Sequence, residues 1–118
     1  EDKDKEPLAH SSYLPVSMVW SYDPFVSEDK DAEPLTQQQK SHIIGVQSNV
    51  WREYIPDNDH LEYMVYPRMA AVAEVQWLRP ENKDWDRFRN GLDRMRKIYD
   101  FMGYSYATHV WDEAQKPE

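Results

Sequence analysis

The residues best suited to chemistry lie in the stretch Gly45-Val-Gln-Ser-Asn-Val-Trp-Arg-Glu-Tyr54. Ile43 and Ile44 lead into it, and a near-continuous apolar entry predicts a short strand over 43–50, buried on both faces. In an extended segment, residues two apart point the same way. Trp51 and Glu53 are therefore expected to project together from the strand's C-terminal end, with Arg52 turned elsewhere. An indole wall beside a carboxylate suits a sugar. The aromatic face packs on the C–H face of a pyranose, and the carboxylate accepts hydrogen bonds from its hydroxyls. The bland alternative is a core Trp beside a surface Glu, and the tripeptide alone does not exclude it.

Other chemistries find little support. His10, His42, His60 and His109 share no metal-ligand spacing and the chain has no cysteine, so neither a metal site nor a cofactor is expected. With glycine only at 45, 91 and 103 there is no glycine-rich phosphate loop, and no Gly-x-Ser-x-Gly nucleophile elbow occurs. The adjacent acids Glu28-Asp29 and Asp112-Glu113 sit in a polar loop and a tail, without the apolar surroundings that raise a carboxyl pKa; they are expected to be solvated.

Two further blocks follow the first: Glu62-Tyr63-Met64-Val65-Tyr66-Pro67-Arg68 and Ala73-Glu74-Val75-Gln76-Trp77. In this order and spacing the three blocks resemble the C-terminal part of the family 20 glycoside hydrolases, the β-N-acetylhexosaminidases, and the resemblance covers nearly all of residues 5–106. It implies an α/β fold, a (β/α)8 TIM barrel of well over twice this length, of which the chain would be the last portion. Segment 43–50 would be barrel strand eight, with its exit at the face where such barrels carry their active sites. Trp51 would wall the pocket around the substrate's acetamido group, and Glu53 would bind outer hydroxyls of the terminal sugar. Arg52 and Tyr54, flanking the pair, would touch ligand or neighbouring loops.

The chemistry implied is substrate-assisted and retaining. The 2-acetamido oxygen attacks the anomeric carbon while a Glu protonates the leaving group and a neighbouring Asp orients the amide. In the family that Asp-Glu pair stands on an earlier barrel strand, so no catalytic residue is assigned in this chain. The family's Tyr and Asp would also fall upstream, and Tyr13, Tyr22 and Asp23 are not given their roles. Arg68, Tyr63 and Glu74 are expected to position and pair rather than to touch substrate.

The elements that must hold Trp51 and Glu53 are mostly helical. Pro15 opens a short helix through Tyr22, stopped by Asp23-Pro24, and Thr36 caps a further turn over 37–42. Leu61, Met64, Val65, Met69, Val72 and Ala73 recur at three and four, predicting one amphipathic helix over about 60–78, capped by Asp59 and kinked at Pro67. Asp84 caps a last helix, about 84–102, with the stripe Trp85, Phe88, Leu92, Met95, Ile98 and Met102 and with Gly103 at its end. Tyr104–Trp111 is expected to lie extended on the helices. Residues 1–7 form a solvated lead-in and 112–118 a frayed tail.

One buried strand among helices leaves backbone donors and acceptors unpaired on both edges, and such groups must find partners. The partner is sheet outside this chain, a second copy, or Tyr104–Trp111. The first of these makes residues 1–118 a single partial domain. If upstream strands are missing, the uncovered apolar faces are expected to drive self-association.

Net charge is −8, from 22 acidic and 14 basic residues, so a nucleic-acid partner is not expected. No apolar run reaches the length of a membrane span, and the absence of cysteine leaves the compartment open. Beside a wholly structural domain that binds no sugar, two functions from different classes remain. One is part of an exo-acting β-N-acetylhexosaminidase that binds N-acetylhexosamine-terminated glycans and docks on the rest of its barrel. The other is a noncatalytic helical module that binds sugar or protein through Trp20, Trp85 and Trp111.

Overall fold

A computed structural model describes residue 7, residues 13–27 and residues 29–112. The lead-in at 1–6, Glu28 and the tail from 113 to 118 lie outside the described residues. Among the described residues five helices follow one another: α1 (Val16–Ser21), α2 (Gln37–Lys40), α3 (Asn58–Val65), α4 (Arg68–Trp77) and α5 (Trp85–Met102). Short 3-10 turns occupy Arg52–Tyr54, Pro80–Asn82 and Thr108–Trp111.

The expected barrel strand over 43–50 does not form. These residues are neither helical nor paired, and no strand occurs among the described residues. A strand exists by virtue of its ladder, and the neighbour that would complete this one is not among them. Nor is the segment buried on both faces, since Ile44 is 98% exposed. Tyr104–Trp111 does not supply the ladder. It lies against the helices, with the Ala107 N–H donating to the Tyr66 carbonyl at 3.1 Å and the Ser105 N–H to Glu62 at 2.8 Å. Its last part closes into a 3-10 turn instead of staying extended.

The single bent helix expected over 60–78 is two helices. Tyr66–Pro67 is a cis peptide bond, and Tyr66 has left helical geometry at φ −98°, ψ 134°. Proline lacks the N–H that the ladder needs and steers its predecessor toward extended backbone, so α3 stops before it. The interruption resets the helical phase. Leu61 and Met69, placed inward by a continuous stripe, are exposed, while Arg68, Ala71 and Val75 face the core. The N-cap also moves, because Asp57 rather than Asp59 accepts the His60 N–H, at 2.8 Å.

The other helix ends follow local chemistry. Thr36 and Gln39 form a reciprocal capping box at α2. Asp84 accepts the Arg87 N–H at 2.8 Å, and Gly103 closes α5 in the left-handed region at φ 70°. Trp85, Phe88 and Leu92 of α5 are buried as expected, but the stripe then runs through Met95 to Tyr99, leaving Ile98 and Met102 exposed.

The core joins Val16 of α1, Ala71 of α4, the start of α5, and Ala107 and Val110 of the C-terminal segment. α1 packs closely on α4. Aromatic side chains bridge to α5: Trp20 meets Trp85 edge-on with ring centroids 5.2 Å apart, and Phe88 packs on both rings. Trp20 and Trp85 are thus spent on packing and offer no surface platform.

Candidate functional site

Trp51 leaves the unpaired segment with extended backbone, φ −81° and ψ 123°, and serves as N-cap of the turn Arg52–Tyr54. The Ile55 N–H donates to the Arg52 carbonyl at 3.0 Å to close it. In a 3-10 turn each residue advances about a third of a turn, so the alternation expected of a strand does not set the direction of Glu53. What the sequence foresaw as a strand exit is an unpaired, irregular approach followed by a tight turn.

All four residues of the stretch face solvent. Trp51 is 64% exposed, and Arg52, Glu53 and Tyr54 are exposed beside it. Among the described residues their side chains make no hydrogen bond or ion pair. The carboxylate and guanidinium therefore keep their hydrogen-bonding capacity for other groups, and the indole keeps an open apolar face. Trp51 is not the core Trp of the bland alternative.

The residues expected to position rather than bind lie on α3 and α4. Arg68 is buried; its Nε donates to the Leu14 carbonyl at 2.9 Å and a terminal nitrogen to the Met64 carbonyl at 3.3 Å, tying the approach to α1 onto the α3–α4 junction. Glu74 meets Arg87 at 3.3 Å, joining α4 to α5. The Tyr63 hydroxyl lies 3.0 Å from Nδ1 of His109, whose ring stacks beside it.

Trp111 is half-buried, with its N–H donated to Asp93 at 3.0 Å and Arg96 over its ring. Asp29 and Asp112 are exposed.

Two long-range side-chain contacts escaped the sequence. Lys83 donates to the carbonyls of Trp20 and Tyr22 at 2.7 and 2.8 Å, closing the C-terminal end of α1. Burial lowers its pKa, with Asp23 and Glu74 opposing the shift. Gln76 reaches back across 30 positions to the Val46 carbonyl. Neither side chain carries a local signal, because the partner in each case is a distant backbone oxygen.

Two open clefts flank α4. One, of about 240 Å³, lies between Ile43–Val46 and the end of the helix; the other, of about 500 Å³, lies between α4 and α5. Trp77, 85% exposed, lines both, and neither is lined by Trp51 or Glu53.

Comparison with known proteins defines the class. The model of glycosyl hydrolase family 20, catalytic domain, matches residues 1–80. The chain belongs to that family. Membership implies a (β/α)8 barrel as the parent architecture; the described residues are mainly helical.

The particular relatives agree. A beta-hexosaminidase of Porphyromonas gingivalis is 32% identical over 105 residues, 89% of this chain and 13% of the relative. A beta-N-acetylhexosaminidase of Cellulomonas fimi is 39% identical over 64 residues, 54% of this chain and 13% of its own length. The human beta-hexosaminidase subunit beta is 37% identical over 68 residues, 54% of this chain and 12% of its own. The chain thus spans about an eighth of the curated relatives it matches.

Proposed function

We propose that this chain is the C-terminal portion of an exo-acting β-N-acetylhexosaminidase barrel and contributes one wall of its sugar pocket. The observation that carries the proposal is the catalytic-domain match over residues 1–80, which includes the whole Gly45–Tyr54 stretch and its exposed Trp51 and Glu53. In this reading Trp51 packs on the sugar and its acetamido group, and Glu53 accepts hydrogen bonds from ring hydroxyls. Arg52 and Tyr54 support them from the same turn. The partners are N-acetylhexosamine-terminated glycans and the remainder of the barrel, whose strands would pair with segment 43–50.

Proton transfer is assigned elsewhere. The acid that protonates the leaving group and the Asp that orients the acetamido group belong, in this proposal, to an earlier strand of the parent. Substrate-assisted attack expels the protonated leaving group and closes a ring between the acetamido oxygen and the anomeric carbon; water then opens that ring, releasing the terminal sugar with net retention. Residues 1–118 act as one partial domain that binds and does not cleave. The test is direct: the purified 118-residue chain is expected to release no nitrophenol from a nitrophenyl N-acetylglucosaminide. Release that co-purifies with the chain and disappears in Trp51→Ala would overturn the division of labour.

A further inference from the structure

Segment 44–50 is neither helical nor paired in a ladder, and leads directly into Trp51. Only one hydrogen bond reaches it from elsewhere among the described residues, from Nε2 of Gln76 to the Val46 carbonyl at 2.9 Å. Gln76 stands on α4, whose neighbouring Val75 is buried and whose Ala71 is in the core, so the donor is carried by a fixed element. The partner also settles which way the amide points, since only its nitrogen can face a carbonyl oxygen. Ile43, Ile44 and Val46 line an open cleft with Trp77 and Leu78, and Gln76 stands at it.

We infer that Gln76 is a positioning residue for the candidate sugar-binding turn, fixing the register in which the approach to Trp51 and Glu53 lies along α4. An extended chain advances at most about 3.3–3.6 Å per residue, so a slip of one residue at Val46 displaces the turn by about that distance. As the one hydrogen bond that reaches 44–50 from elsewhere among the described residues, the Gln76 contact constrains where the turn carrying Trp51 stands. The inference rests on the proposed sugar-binding role of Trp51 and Glu53, and its test separates the two.

The experiment uses the full chain labelled for amide spectroscopy, with Gln76→Glu and Gln76→Lys. Glu keeps the size and sets an oxygen against the carbonyl, whereas Lys restores a donor. Gln76→Glu is expected to shift the amides of 47–53 and raise their relaxation-detected mobility without changing the melting temperature, and Gln76→Lys is expected to return them toward the original spectrum. Titration with N-acetylglucosamine is expected to show affinity at Trp51 falling by roughly two- to tenfold in Gln76→Glu, the scale of one net hydrogen bond. Unaltered amides at 47–53 in Gln76→Glu would overturn the anchoring, as would a Lys variant no better than Glu. If the unsubstituted chain shows no sugar-induced change at Trp51, the binding role falls, while the anchoring is still decided by the ligand-free spectra.

Discussion

Trp51 and Glu53 are local in the chemistry they offer, which is why the sequence could nominate them. An exposed indole and an exposed carboxylate two residues apart need no knowledge of the fold. Their backbone was not legible, because turning at Arg52 instead of staying extended depends on what pairs with the approach. Lys83 and Gln76 were illegible for a different reason, as each binds a carbonyl that any residue type would present. Tyr99 gives a prediction at the same scale. Buried on α5 and close to Tyr66, it has its pKa raised from 10.0 to about 12, chiefly by burial and then by that neighbour. Below pH 10 folded and unfolded chains both hold the phenolic proton. Between pH 10 and about 12 the unfolded chain releases it and the folded chain does not, so stability is lost across that window. Tyr99→Phe is expected to flatten the fall in denaturant midpoint between pH 10 and 12 while leaving the neutral-pH slope m unchanged. An identical pH profile would show that Tyr99 titrates alike in both states.

At the scale of the element, helices whose ends carry their own chemistry were readable. Asp84 and Gly103 bracket α5 as the sequence foresaw, and Thr36 caps α2. Elements that depend on others were not. Segment 43–50 has a strand's composition without a strand's partner, and α3–α4 reads as one helix only if the apolar period is carried through Pro67. Chain geometry breaks that period, and the buried face shifts to Arg68, Ala71 and Val75. The C-terminal turn of α5 offers a clean test of local control. Gly103 holds φ 70°, a region that costs a side-chain-bearing residue about 1 kcal/mol. Gly103→Ala is expected to lower unfolding stability by about that amount in urea titration, and an unchanged midpoint would mean that α5 does not need this stop.

Across the whole molecule, the core is built from the face that α1, α4, α5 and the C-terminal segment share, while large apolar side chains stand open elsewhere. Ile44, Trp77 and Phe101 are 98, 85 and 88% exposed. Apolar surface of that kind is covered by a partner or by association. Light scattering of the chain is expected to show dimers or larger species whose mass rises with concentration, and a monomer at high concentration would count against uncovered barrel faces. The proposal that this chain grips an amino sugar with a wall of a pocket completed by other strands is tested most directly by amide chemical-shift mapping with N-acetylglucosamine. The expected result is perturbation centred on Trp51 and Glu53 that is lost in Trp51→Ala and Glu53→Gln. Perturbation centred on Trp111, or none at any residue, would contradict it.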